Sequence, residues 1–79
     1  MNWKLELRET RRGMQMLERT PRYDVVLNGA TTDQLYFNMR GYCGYLPTPS
    51  GAKLDIGEKS ISAFKREVSR LNREAKQTD

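Results

Sequence analysis

SISAFKREVSRLNREAK, residues 60–76, contains the clearest periodicity in the chain. Its apolar residues recur at spacings of three and four, namely Ile61, Phe64, Val68, Leu71 and Ala75. Because an α-helix turns by about 100° per residue, this spacing collects them in one stripe. Ser60 precedes the stripe and suits an N-cap, since its hydroxyl can accept a hydrogen bond from a free N–H of the first turn. We therefore predict an amphipathic helix over residues 60–76.

Upstream of this helix the apolar period is two, which is typical of strands. Trp3, Leu5 and Leu7 alternate with charged residues, and the turn at residues 10–13 predicts a hairpin with the segment that follows. Asn28-Gly29 is a second hairpin signal, although the polar residues after it predict a longer loop. The predicted strands cover residues 2–9, 14–19, 22–28, 34–40, 42–46 and 53–56.

Gly41 and Gly44 are predicted to bend the fifth of these strands, and residues 47–51 have the composition of a tight reversal before the last one. The predicted fold class is α+β, an antiparallel β-meander of four to five strands with one C-terminal amphipathic helix packed on one face. At 79 residues the chain has room for one small domain, predicted to span residues 1–79.

Composition limits the environment of the protein. Apolar residues are 37% and charged residues 30% of the chain, and no apolar run approaches the roughly 20 residues that span a bilayer. Cys43 is the single cysteine and cannot form an internal disulfide, which fits a reducing compartment. These features predict a cytoplasmic protein without a membrane partner.

The residue inventory argues against catalysis. The chain has no histidine and one cysteine, so it lacks the commonest general base and cannot assemble a zinc site alone. No phosphate-binding glycine motif is present. We expect no enzyme activity, no metal and no cofactor. The remaining acid–base candidates are Asp24, Asp33, Asp55 and Glu58, whose ordinary interpretation is as solvated strand and turn residues.

Cys43 has two interpretations, a reactive thiol beside Arg40 or a small half-buried apolar residue.

Basic residues define the first candidate binding surface. The chain carries 14 Lys and Arg against 10 Asp and Glu, a net charge of +4. On the helix, the side opposite the apolar stripe is predicted to carry Lys65, Arg66, Arg70 and Arg73, flanked by Lys76. Guanidinium groups on a rigid element can bind phosphates. The alternative is a solvated face on which Glu67 and Glu74 pair locally with arginines, such as Glu67 with Arg70.

The first predicted hairpin loop adds three more arginines, Arg8, Arg11 and Arg12. If the loop lay beside the helix, the two basic regions would form one continuous positive surface.

A second candidate surface is aromatic and consists of Tyr36, Tyr42 and Tyr45 with Arg40. Such rings can stack unpaired bases, and tyrosine and arginine are equally enriched at protein–protein hot spots. A third interpretation is that some of these rings complete the core.

The leading hypothesis is a non-enzymatic binding module that docks on nucleic acid or a nucleoprotein complex through basic loop and helix residues. The alternative is a small phage or mobile-element type inhibitor or adaptor that binds a larger host protein assembly through its aromatic surface. A further hypothesis is a homodimer, in which an exposed edge strand or the short helix pairs with a second copy. The predicted architecture is similar to that of AP2-type and phage integrase arm-type DNA-binding domains, whose sheet lies in the major groove, but no sequence motif of those families is present.

Overall fold

The structure of the protein is a computed structural model that describes residues 3–12, 14, 16 and 19–77. The described residues form six strands and then one helix: β1 (Leu5–Thr10), β2 (Arg22–Leu27), β3 (Ala30–Asn38), β4 (Gly41–Cys43), β5 (Tyr45–Pro47), β6 (Lys53–Asp55) and α1 (Ile61–Gln77). Strands β1 to β4 form an antiparallel sheet in chain order, and β5 and β6 form a second, two-stranded sheet. The predicted α+β meander with a C-terminal helix is confirmed.

The first hairpin differs from the prediction. β1 pairs with β2, so that Leu7 lies opposite Val25, rather than with the segment at residues 14–19. Of that segment, the described Met14, Met16 and Arg19 lie outside any strand, and residues 15, 17 and 18 lie outside the described part of the chain. The physical reason is burial: Val25 and Val26 are at most 1% exposed in β2, whereas Met16 is 95% exposed. Packing in the core therefore favours β2, which contains two β-branched valines, as the partner of β1.

The turn between β2 and β3 is shorter than expected. Asn28 and Gly29 have positive φ angles of 52° and 85°, and Leu27 pairs directly with Ala30. A two-residue turn of this kind requires positive φ at both central residues, and asparagine and glycine adopt it most readily. The prediction of a longer loop is wrong, and β3 begins at residue 30 instead of 34. Its polar start is accommodated by a register shift between Val25 and Val26.

The predicted strand over residues 42–46 is divided at Gly44, where the chain leaves the first sheet for the second. Gly44 has a φ of 151°, and a Cβ atom there would overlap the buried side chain of Leu35. The absence of a side chain therefore lets the backbone pass directly over the core. The reversal predicted at residues 47–51 is confirmed, since Thr48 N–H donates to the Ala52 carbonyl at 3.0 Å and β5 pairs with β6.

The helix forms as its sequence predicts. The Ser60 hydroxyl accepts a hydrogen bond from Ala63 N–H at 3.2 Å, which makes Ser60 the N-cap. The buried residues of α1 are Phe64, Val68, Leu71 and Ala75. The core cluster joins three of them to both sheets and consists of Leu5, Val25, Leu35, Tyr42, Leu46, Phe64, Val68 and Leu71. The predicted stripe thus packs on one face of the meander.

Candidate nucleic-acid interface

The four-stranded sheet has two chemically different faces. Leu5 and Leu7 of β1 pack toward α1, so the alternating residues of β1 and β2, such as Arg8 and its partner Asp24, point away from the helix. We call this second side the open face. Arg12 lies on it, because its guanidinium binds Asp24 at 2.9 Å and its carbonyl accepts a hydrogen bond from Gln34 at 3.2 Å.

This placement separates the two predicted basic regions. Arg8 and Arg12 lie on the open face, while the helix cations lie in the layer on the other side of the sheet. The condition for one continuous positive surface, a loop beside the helix, is therefore not met by these two arginines. The physical reason is the position of Asp24. Because Asp24 is next to buried Val25 in β2, its carboxylate points away from the helix, and there it attracts Arg12. Arg11 is exposed at the same connection.

The charges of the open face largely compensate one another. Arg8 forms an ion pair with Glu6, and Arg12 forms one with Asp24, whose side chain is 13% exposed. A second bond, from Gln34 Nε2 to Asp24 at 3.2 Å, further engages that carboxylate. The open face consequently offers a phosphate group less free positive charge than its arginine content suggests.

On the helix, both carboxylates converge on one arginine. The acidic residues of α1 are Glu67 and Glu74; Arg70 Nε donates to Glu67 at 2.6 Å, and Arg70 Nη1 binds Glu74. The hydrogen bond that Arg70 donates to Glu67, together with the charges of both glutamates, raises the pKa of Arg70. The predicted local pairing of Glu67 with Arg70 is confirmed, and it removes Arg70 from the set of available cations.

The other helix cations keep their charge available. Among the described residues, no carboxylate forms an ion pair with any member of a set that we call the basic helix face: Lys59, Lys65, Arg66, Arg73 and Lys76. Arg66 and Arg73 are seven residues apart, which is two turns and about 10 Å along the axis on the same side. All five residues are exposed.

Lys59 was not predicted to belong to this surface. It precedes the N-cap, and its position is set by two backbone hydrogen bonds with Tyr42, of 2.7 and 3.0 Å. It lines a shallow groove of about 340 Å³ together with Arg66 and Arg73. In the sequence Lys59 lies seven residues before Arg66. This spacing would place the two residues on one side of a helix, but Lys59 precedes the helix, so the spacing did not predict that they lie together.

The three predicted contact tyrosines do not share one surface. Tyr42 is 6% exposed and belongs to the core, with its hydroxyl donating to the Pro21 carbonyl at 2.9 Å. Tyr36 and Tyr45 are each about half exposed and border one pocket near the open face. The interpretation of a ring that completes the core therefore holds for Tyr42. Of the three tyrosines, only Tyr36 and Tyr45 are exposed enough to contact a partner.

Replacing Tyr42 with phenylalanine tests that assignment. We expect the change to lower the free energy of unfolding by about 1 kcal/mol, because the Pro21 carbonyl loses its donor while the ring volume is kept. Urea unfolding measures the loss. Binding to any partner should be unchanged in the folded variant, and a loss of binding at unchanged stability would instead make Tyr42 a contact residue.

The sequence analysis did not predict that apolar residues near the β3–β4 turn are exposed. Phe37 is 49% and Met39 100% exposed, and the predicted contact residue Arg40 lies beside them, 4.0 Å from Glu58. Alternation in β3 did not reveal this, because Phe37 follows the pattern of a core residue. It falls outside the core since β3 extends past the pairing with β2, which ends at Leu35.

The carboxylates named as residual acid–base candidates are mostly engaged in ion pairs. Asp24 binds Arg12, Asp33 lies 3.0 Å from Lys53, and Glu58 lies near Arg40. Among residues 3–12, 14, 16 and 19–77, no three His, Cys, Asp or Glu side chains are grouped to hold a metal ion. The expectations of no enzyme activity and no cofactor stay predictions.

Cys43 is partly buried and free, with its sulfur 3.7 Å from both the Tyr36 carbonyl and the Asn38 amide nitrogen. The half-buried interpretation of this thiol therefore matches its position.

No protein-family model, curated protein or solved structure matches this chain. Within the described ranges, no helix has the length and apolar character needed to cross a bilayer.

Proposed function

We propose that the protein is a non-enzymatic, cytoplasmic module that binds the phosphate backbone of nucleic acid through the basic helix face. The observation that carries the proposal is the pairing of both helix glutamates with Arg70. This pairing leaves Arg66 and Arg73 free of carboxylates in the described structure, on the most exposed side of the helix.

The chemistry of this surface suits phosphate. Arginine presents a planar fork of donors that matches phosphate oxygens, and lysine adds point charges that are less demanding in orientation. The 17-residue helix is anchored by four buried side chains, so its cations are held on a rigid support. A contact of this kind neutralises phosphates and releases counterions without reading bases.

The open face supports the same function less well. It carries Arg8 and Arg12, but each is matched by a carboxylate on the same face. Binding a phosphate there would compete with existing ion pairs. The comparison with sheet-binding AP2-type and integrase arm-type domains therefore does not favour the sheet of this protein as the main contact.

A protein-binding adaptor is the second candidate function. The observation that favours it is the exposed turn formed by Phe37, Met39 and Arg40, since aromatic, methionine and arginine side chains are enriched at protein interfaces. Tyr36 and Tyr45 are also exposed, but alternation in β3 puts Tyr36 on the opposite face of the sheet from Phe37, whose ring packs edge-on against Tyr42.

A salt series tests the nucleic-acid proposal. Anisotropy of a fluorescent DNA or RNA duplex should report binding that weakens steeply between about 50 and about 200 mM salt, with a log–log slope near −4 for four to five phosphate contacts. The predicted cause is counterion release at the five members of the basic helix face. Absence of binding to either duplex at low salt, or binding with a slope near zero, would contradict the proposal.

A further inference from the structure

The outer edge of β1 retains free hydrogen-bonding groups. Leu5 N–H donates to Asn72 Oδ1 at 2.8 Å, and Asn72 Nδ2 donates to the Leu5 carbonyl at 2.9 Å. Both backbone groups of Leu5 therefore point away from β2. Because this direction alternates along a strand, the N–H and C=O groups of Leu7 and Glu9 point outward as well.

The turn between β2 and β3 supports this direction independently. Leu27 and Ala30 flank a two-residue turn, so the backbone groups of Leu27 face β3 and cannot bond Leu5. No described residue is hydrogen-bonded to the outward groups of Leu7 or Glu9. Asn72 thus closes the first outward position of the edge and leaves the next two open.

A groove runs beside this open edge. It has a volume of about 350 Å³ and lies between β1 and the helix. Leu5, Leu7 and Val68 supply its apolar surface, and its polar groups come from Glu6, Lys65, Ser69 and Asn72. A strand added to β1 would place every second side chain into this groove.

A second copy of this chain fits the edge poorly. Two-fold pairing centred on Leu7 would place Leu5 opposite Glu9, where Asn72 already occupies the Leu5 backbone. Pairing centred on Arg8 leaves Asn72 in place but sets two arginines directly opposite each other. Pairing centred on Glu9 opposes two glutamates, and like charges in direct opposition destabilise a strand pair.

We infer that β1 accepts an extended segment of another protein as an added antiparallel strand. The segment carries a carboxylate opposite Arg8 and an apolar side chain beside Leu7 in the groove. Charge favours such a segment, since Lys65 lines the groove and Arg8, although paired with Glu6, has donors left for a second carboxylate, as Arg70 has for its two glutamates. The backbone groups of Leu7 and Glu9 are not part of the basic helix face, although Lys65 belongs both to that face and to the groove.

The probe for this site is a cyclised β-hairpin peptide whose outer strand reads Thr-Asp-Val-Thr, placed opposite residues 9, 8, 7 and 6 in that order. Cyclisation reduces the ordering cost of binding. Titration of the isotope-labelled protein, followed by NMR, should shift the amide signals of β1 and protect those of Leu7 and Glu9 from hydrogen exchange. A hairpin with Lys in place of Asp should bind about tenfold more weakly, since it opposes Arg8.

The matched variants are Glu9→Pro and Glu9→Ala. Proline removes the outward N–H without breaking a bond to β2, whereas alanine removes the same side chain and keeps the donor. We expect Glu9→Pro to weaken hairpin binding about tenfold and Glu9→Ala to change it less than about threefold. Circular dichroism and urea unfolding verify that both variants fold, and both should bind nucleic acid like the wild type.

Three results would overturn the inference. The first is a hairpin that leaves the β1 signals unchanged in the folded wild-type protein. The second is equal binding by the folded proline and alanine variants. The third is a dimer in sedimentation that the proline variant abolishes, which would make a second copy the occupant of the edge.

Discussion

Replacing Arg66 and Arg73 with glutamate is expected to weaken nucleic-acid binding at least about a hundredfold at low salt. Each substitution removes a phosphate contact and adds a charge that repels the backbone. Both side chains are exposed on the outer side of α1, so the free energy of unfolding should change by less than about 0.5 kcal/mol. Duplex anisotropy measures the binding, and urea unfolding measures the stability.

The matched control is the double variant Arg11→Glu, Arg40→Glu. It changes the net charge by the same amount at exposed positions outside the helix, and we expect a loss of less than about fivefold through the long-range field. Equal losses in the two double variants would mean that binding follows net charge, and the basic helix face would then not be the interface.

Replacing Gly44 with alanine is expected to lower the free energy of unfolding by about 3–4 kcal/mol, a large share of what a domain of this size has. The added Cβ would meet the side chain of Leu35, which is 0% exposed, and would lie 3.3 Å from the Gln34 carbonyl oxygen. The backbone φ of 151° adds strain for any residue with a side chain. Urea unfolding monitored by circular dichroism measures the loss.

Gly51→Ala separates the collision from the backbone strain. Gly51 also has a positive φ, of 96°, but nothing lies within 4 Å of an added Cβ. Its substitution should cost only about 1–2 kcal/mol, which is the backbone contribution. If the two variants were equally destabilised, the close passage of the chain over Leu35 would not be what requires glycine at residue 44.

Features that depend on neighbours in sequence were predicted well. The stripe from Ile61 to Ala75, the Ser60 cap and the reversal near Thr48 all lie where their residue patterns placed them. The Asn28-Gly29 turn was identified correctly, and only its length was wrong, because a bulge in the sheet absorbs the polar residues that follow.

Features that depend on distant residues were predicted less well. The choice of β2 rather than residues 14–19 as the partner of β1 depends on which segment buries more apolar surface, and both segments are compatible with a hairpin. Tyr42 illustrates the same limit, since alternation does not show that its hydroxyl finds the Pro21 carbonyl and that its ring completes the core.

The amino-acid sequence by itself determined the helix, its apolar stripe and the number of cations on it, because helix periodicity is a local property of the backbone. Only the tertiary structure decided which cations stay available. Ion pairing depends on distances of a few ångströms, and these assign both helix glutamates to Arg70 and assign Arg12 to Asp24 on the opposite face of the sheet. The open edge at Leu7 and Glu9 is likewise a tertiary feature, because the direction of a strand's backbone groups is set by the strand that pairs with it.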